Sequence, residues 1–271
     1  MRICFHTHCF PENLAPRAMA ALAENARRFG AVPHTDGTLA GAKKALSAAG
    51  IDKALICGVA TNPRQQRNVN DFALDSAKAD GFFIPAGAIH PGSENKKEEF
   101  ARLFEAGVRG IKIHPDYCQT LITDDRYAEV FELACGYGMF VITHAGTDPV
   151  SPGCVHAPPQ ALKDVKRNFP QLKLIAAHMG GNAMSEEVLA LLVGSDIYFD
   201  TSLSAFRKSE RCSLLNILRR HDPERLLFGT DTPWSDASAE VEFVESSGLT
   251  PDALEKIFYR NALALLGTDK S

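Results

Sequence analysis

Two histidines spaced two apart, in the run Ile3-Cys4-Phe5-His6-Thr7-His8, are the first residues of this chain equipped for chemistry. Side chains alternate faces along a β-strand, so His6 and His8 point the same way and begin a cradle for a divalent metal. Single His and Asp residues close further apolar runs: Val141-Ile142-Thr143-His144, Leu174-Ile175-Ala176-Ala177-His178 and Leu227-Phe228-Gly229-Thr230-Asp231. Taken alone, each has a bland reading. His-x-His could cap an edge strand, His144 and His178 could be core histidines bonded to backbone carbonyls, and Asp231 could cap the Thr232-Pro233-Trp234 turn. Taken together they supply three imidazoles and a carboxylate, with a spare imidazole for proton transfer. That is the inventory of a catalytic metal site that leaves a coordination position for water.

The run Gly110-Ile111-Lys112-Ile113-His114-Pro115-Asp116-Tyr117 adds a second group. By parity Lys112 and His114 share the inner strand face, while Ile111 and Ile113 face outward. A lysine in an interior needs a partner, because a lone buried charge is costly. The partner could be Asp231, an anionic substrate, or two metals bridged by a carboxylated Lys112. His114 and Tyr117 fall at the rim as substrate contacts. The turn-rich loop 145–156 carries Cys154 and His156, which could reach the substrate or a metal. Trp234, the only tryptophan, either walls the pocket or lies packed beneath a loop. His34, His90 and His221 fall in helical or turn segments and receive no role.

These residues need a scaffold that brings many strand ends together. Short apolar runs near 2–6, 54–58, 83–88, 109–113, 139–144, 173–177, 196–200 and 226–230 alternate with helical patterns throughout the 271 residues. Near-continuous apolar runs suit parallel strands covered on both faces. After Thr123 one helical stripe holds Tyr127, Val130, Phe131, Ala134 and Cys135. The last helix starts at Thr250-Pro251, buries Leu254, Ile257, Phe258 and Ala262, and stops at Gly267. Eight strand–helix units over this length predict one α/β domain, residues 1–271, folded as a (β/α)8 TIM barrel with its C-terminal helix against the barrel. An open doubly wound sheet is the runner-up, but its Gly-rich first turn is replaced here by His8-Cys9-Phe10-Pro11. The active site then gathers at the C-terminal strand ends, where His8, His114, His144, His178 and Asp231 all fall.

Composition narrows the class further. With 45% hydrophobic and 23% charged residues, the chain can bury a sizeable core. The net charge of −4 and the absence of a basic tract predict no nucleic-acid partner. Seven cysteines without a Cys-x-x-Cys pair read as reduced thiols of a cytoplasmic protein. No secretory signal is expected, since His6, His8 and Glu12 interrupt the first apolar stretch, and no run is long enough to span a membrane.

In series, FHTHCFPE (5–12), GIKIHPDY (110–117), VITHAG (141–146), IAAHMGG (175–181), DIYFDTS (196–202), FGTDTPW (228–234) and IFYRNALALLG (257–267) resemble the metal-dependent hydrolases of the amidohydrolase superfamily. The likeness is greatest to the branch of aminocarboxymuconate semialdehyde decarboxylase and related aromatic-acid decarboxylases. The resemblance implies a TIM barrel with one divalent metal, Zn2+ first among the candidates, held by His6, His8, His144 and Asp231. It implies that His178 activates water or helps bind a second metal. One departure stands out: family members often carry Asp two residues before the first His, and Cys4 takes that place. Cys4 is expected to point into the barrel beneath the ligands as a small apolar filler, and Cys9, Cys118 and Cys154 to surround the mouth.

The expected reaction is hydrolysis of an ester, lactone or amide in a small substrate, with His178 and Asp231 moving protons and Lys112, His114, Tyr117, His156 and Trp234 contacting the substrate. Non-oxidative decarboxylation of an unsaturated or aromatic acid at the same metal is the alternative. A catalytically inert metal-binding barrel is the third reading, supported by Cys4 alone. A homodimer is the base expectation for assembly.

Overall fold

The computed structural model describes residues 1–27 and 30–268. Its strands are β1 (Ile3–Thr7), β2 (Lys53–Ile56), β3 (Phe83–Pro85), β4 (Gly87–Ala88), β5 (Gly110–Ile113), β6 (Phe140–Thr143), β7 (Lys173–Ala176), β8 (Tyr198–Asp200) and β9 (Leu226–Leu227). The helices are α1 (Ala15–Arg27), α2 (Leu39–Ala48), α3 (Gln66–Ala79), α4 (Lys96–Glu105), α5 (Asp125–Tyr137), α6 (Pro159–Asn168), α7 (Ser185–Leu191), α8 (Arg211–Arg220), α9 (Ala237–Glu245), α10 (Pro251–Glu255) and α11 (Asn261–Leu266).

All strand pairs are parallel, in the orders β1-β2-β3 and β4-β5-β6-β7-β8-β9. The two sheets join at both ends. β3 and β4 form one bent strand in which the Ala86 N–H donates to Ile56 O (3.2 Å), so the run 83–88 pairs first with β2 and then with β5. On the other side β1 meets the segment leaving β9. Phe5 N–H donates to Phe228 O (2.7 Å), Asp231 N–H to His6 O (2.9 Å) and His8 N–H to Thr232 O (2.7 Å). Eight strand positions thus close a (β/α)8 TIM barrel, and β1 has neighbours on both sides, which removes the edge-strand reading of His6 and His8.

Alternation sorts the strand residues into two cores. Ile3, Phe5, Leu55, Cys57, Phe140, Ile142, Ile175 and Leu227 cluster in the barrel interior, with Ala262 and Leu265 of α11 sealing its lower end. Cys4, Ala54, Ile56, Ile111, Ile113, Val141, Leu174 and Phe199 instead join the layer beneath the helices. Gly110 is dictated by this packing, because a Cβ there would lie 1.8 Å from the Phe140 ring.

The Cys4 expectation is corrected here. Between the pairs Cys4↔Ala54 and Thr7↔Ile56, β1 advances three residues and β2 two. That extra residue is a bulge, and it inverts the alternation downstream. Ile3 and Phe5 therefore face inward with His6 and His8, while Cys4 faces the helices, its Sγ within 3.2 Å of Thr7 Oγ1 and 3.3 Å of Thr230 Oγ1.

The C-terminal segment packs on the barrel as expected, in three pieces rather than one. The Thr250 hydroxyl caps α10 by accepting from Ala253 N (3.3 Å). A π-helical turn (Lys256–Arg260) follows, within which Ile257 O accepts from Phe228 N (2.9 Å). The Asn261 amide donates to Leu226 O (2.8 Å), and Gly267 closes α11 in the left-handed conformation at φ 67°. No helix among the described residues is long and apolar enough to cross a membrane.

Candidate active site

His6 and His8, the first beyond the β1 bulge and the second just past the strand, converge on Asp231 from the segment after β9. His6 Nε2 is 3.4 Å and His8 Nε2 3.1 Å from Asp231 Oδ1. The three donor atoms lie within 4.8 Å of one another. Asp231 occupies the left-handed region, φ 61°, a conformation in which a non-glycine residue is held by its surroundings. Its N–H on His6 O and its own carbonyl accepting from Trp234 N (2.7 Å) provide that hold.

Each imidazole is oriented by its other nitrogen. His8 Nδ1 donates to Cys57 O (2.7 Å) and His6 Nδ1 to Asp200 Oδ2 (2.9 Å), which leaves both Nε2 lone pairs facing Asp231. Burial pushes the His6 imidazole well below its usual range, and the Lys112 charge adds to that. Burial works to raise the Asp231 carboxyl, but the groups facing it, Lys112 among them, hold it below the ordinary carboxylate range. Neutral imidazoles and an ionised carboxylate are the protonation states a divalent metal requires. The donor set and its outer hydrogen bonds therefore fit such an ion.

Lys112 points inward as parity requires, is buried, and has its Nζ 3.0 Å from His6 Nε2. Its ammonium is thus held by an imidazole nitrogen; no Lys112–Asp231 ion pair forms within 4.0 Å.

Asp200, at the end of β8, is the residue sequence reasoning missed. Its Oδ1 accepts the backbone N–H groups of His178 and Ser202 (both 3.1 Å) and the Ser202 hydroxyl. Ser202 spends its one proton on Asp200 and so accepts from His178 Nδ1 (2.8 Å), leaving the His178 lone pair on Nε2. The sequence signal was present, since Ile197-Tyr198-Phe199-Asp200 ends an apolar run just as Leu227–Asp231 does. His178 also sits in the left-handed region, φ 57°, braced by Arg207, whose Nη2 donates to His178 O (3.0 Å) and Nη1 to Gly181 O (3.1 Å). Burial, and then neighbouring His144, push the His178 imidazole well down.

His144, expected beside His6, His8 and Asp231, lies outside their donor group and meets His178 at its side. Its Nδ1 faces His178 Nε2 (3.1 Å) and its Nε2 lies 3.2 Å from Thr147 O. Its donor-atom neighbours are His114 and Asp148, within 4.8 Å of one another. The His114 and His144 rings stack at 4.4 Å, and Tyr117 packs edge-on against His114 at 4.5 Å. His156 Nδ1 donates to Asp116 Oδ1 (2.9 Å), so it ties down its loop. Trp234 is half-buried in the turn after Asp231. Of the three cysteines expected around the mouth, Cys9 is buried, Cys118 half-buried and Cys154 exposed.

Glu240 joins the loops after β8 and β9. The buried carboxyl group accepts from Ser204 N (3.1 Å), Ala205 N (3.1 and 3.2 Å) and Ser235 Oγ (2.5 Å).

The family model described as amidohydrolase matches residues 4–268. No curated protein matches the chain. Among solved structures, an uncharacterised TIM-barrel protein from Bordetella bronchiseptica is similar, at 19% identity and TM-score 0.75, with 98% of each chain covered. A 2-pyrone-4,6-dicarboxylic acid hydrolase-like protein from Pseudomonas putida aligns at 18% identity and TM-score 0.69, covering 100% of this chain and 98% of that one. A 5-carboxyvanillate decarboxylase from Novosphingobium aromaticivorans, complexed with manganese and a nitrobenzoic acid, aligns at 15% identity and TM-score 0.71, covering 98% and 96%. At these identities the likeness shows the shared fold.

Proposed function

The chain belongs to the amidohydrolase family, and from that premise we propose that it is a metal-dependent hydrolase of an ester, lactone or amide bond in a small substrate. The observation that carries this reading is the set His6 Nε2, His8 Nε2 and Asp231 Oδ1, with both imidazoles oriented by Cys57 O and Asp200. Two imidazoles and one carboxylate form a donor set that suits zinc and leaves a position open. Manganese, named with the Novosphingobium structure, is the second candidate. When bound, the ion supplies Lewis acidity, polarising a carbonyl and making a water acidic enough to attack near neutral pH.

The chain's own residues supply the rest. His178 would release His144 Nδ1 from its Nε2, take a proton there from the attacking water and return one to the leaving group, with Asp231 assisting from the other side. Asp200 and Ser202 hold His178 in the tautomer with its lone pair on Nε2. Tyr117 and Trp234 border the mouth where a small substrate would lie.

Decarboxylation of an aromatic acid is the second reading, supported by the decarboxylases among the similar structures.

The test is a paired screen on protein stripped of metal and reloaded with zinc or manganese. Neutral lactones, esters and amides are followed by acid release, and aromatic and unsaturated acids by CO2 release. Metal-dependent acid release supports hydrolysis. CO2 release with no hydrolysis selects the second reading, and turnover unaffected by chelation contradicts both.

A further inference from the structure

His178 stands at the head of a turn that L-residues do not adopt unaided. His178, Met179 and Gly180 take φ of 57°, 59° and 87°, left-handed in succession although the first two carry a Cβ. Such backbone persists only where its surroundings hold it. Its two ends are tied to β6 and the segment after it, Ala177 N–H donating to Thr143 O (3.0 Å) and Asn182 N–H to Ala145 O (2.8 Å). Between these ties, Asp200 takes the leading N–H groups: its Oδ1 accepts from His178 N (3.1 Å) and its O from Met179 N (2.8 Å). Arg207 takes the carbonyls, Nη2 donating to His178 O (3.0 Å) and Nη1 to Gly181 O (3.1 Å). We propose that Arg207 is a positioning residue of the reaction: by clamping these two carbonyls it fixes the turn, aims the His178 ring and so sets turnover without touching substrate or metal.

The surroundings of Arg207 are built for this. Its side chain is buried, and its remaining donors also turn inward, Nε to Leu203 O (3.4 Å) and Nη1 to Glu210 Oε2 (3.1 Å). Burying a guanidinium is costly unless its donors are met, and here they are met chiefly by backbone carbonyls rather than by carboxylates. A planar fork can hold two carbonyls at once, whereas an ammonium is a point donor. The loop that carries Arg207 is itself pinned. Leu203 is left-handed at φ 58°, and the Ser204 and Ala205 N–H groups donate to buried Glu240 of α9. His178 is thus gripped twice from β8 and its loop, through Asp200 at its N–H and through Arg207 at its carbonyl.

The role of Arg207 rests on His178 being the group that moves protons. An imidazole displaced by about 1 Å would lose its bond to Ser202 Oγ (2.8 Å), and misplacement on this scale can cost ~10²-fold in rate. Among the described residues Arg207 makes no hydrogen bond or ion pair with His6, His8 or Asp231, so its loss leaves the metal donors as they are.

The test compares Arg207→Met and Arg207→Lys with wild type, alone and combined with His178→Gln, in the metal-loaded full chain, with near-UV circular dichroism to check folding. Both kcat and KM are measured on the most active compound of the paired screen. In Arg207→Met, kcat should fall ~10–100-fold while KM and metal content stay within about twofold of wild type. Arg207→Lys should recover part of that loss. Added to His178→Gln, Arg207→Met should change kcat by less than about twofold, because a residue that acts through His178 then has nothing left to position. An equal further loss in both backgrounds would overturn the role of Arg207 and leave that of His178. So would wild-type kcat in folded Arg207→Met while His178→Gln is impaired. Wild-type kcat in His178→Gln would overturn both. Should Arg207→Met fail to fold, Arg207→Lys carries the same comparison. Crystal structures of the folded variants decide without any substrate: a His178 ring displaced from Ser202 Oγ supports the clamp, and a ring left in place overturns it.

Discussion

Asp200 Oδ2 lies 2.9 Å from His6 Nδ1, and this contact decides which His6 nitrogen faces Asp231. The same carboxylate accepts the His178 backbone N–H and the Ser202 hydroxyl. One buried side chain thus sets the tautomers of both a proposed ligand and a proposed base. In Asp200→Asn, an oxygen retained toward His178 N and Ser202 N puts an amide N–H against His6 Nδ1. His6 must then carry its proton on Nε2, where the metal should bind. Metal affinity is expected to fall ~10–100-fold, read by competition with a chromogenic chelator. Unchanged affinity would count against Asp200 as an orienting group.

His178 is proposed to act on protons rather than to hold the metal. His178→Gln should lower kcat by ~10²–10⁴-fold while the metal content at His6, His8 and Asp231 stays at the wild-type value. Loss of that metal together with activity would make His178 a ligand instead.

Lys112 competes with a metal for the same nitrogen, since its Nζ lies 3.0 Å from His6 Nε2. Removing a buried ammonium beside a dication should tighten metal binding, by roughly tenfold or more given Coulomb interactions at an effective dielectric near 20. Calorimetric titration of Lys112→Met with Zn2+ checks this. Weaker binding would instead favour a carboxylated lysine bridging metals.

Glu240 gives the chain a pH-dependent stability. Burial raises its carboxyl to about 8, against hydrogen bonds from Ser235, Ala205 and Ser204. An unfolded glutamate titrates near ~4.3, so between the two values the folded chain keeps a proton that the unfolded chain has lost. This contribution to stability is present below pH ~4.3 and is lost as pH rises toward 8, by up to ~1.4 kcal/mol per unit. The stability of the wild type relative to Glu240→Gln, from urea unfolding, should decline across that window. A difference independent of pH would contradict the burial argument.

Gly110 is required by Phe140. In Gly110→Ala the new Cβ would start 1.8 Å from the ring, and overpacking of this kind costs ~1–3 kcal/mol. Urea denaturation measures the loss, and no loss would mean that the Phe140 ring has room to move.

The barrel was legible because its strands are apolar runs between helical patterns, and hydrophobic periodicity reports burial directly. Phe140-Val141-Ile142 and Leu174-Ile175 read as doubly covered strands and are that. Parity also placed Lys112 inward, with Ile111 and Ile113 outward. Parity failed at Cys4, because a bulge between Cys4 and Thr7 is an insertion in pairing, not in composition. The convergence of His6, His8 and Asp231 followed from their positions at strand ends. The direction of the His144 ring did not, because it is set by Thr147 O and His178, contacts made only once the loop has folded. Asp200 carried the same strand-end signature as Asp231, but its role depends on neighbours 194 and 22 residues away.

The most direct measurement is an anomalous-scattering crystal structure of the zinc-loaded protein, with data on both sides of the zinc edge. The account predicts a peak coordinated by His6 Nε2, His8 Nε2 and Asp231 Oδ1, with Lys112 Nζ displaced from His6. A zinc-loaded crystal with no peak among those three atoms would contradict it.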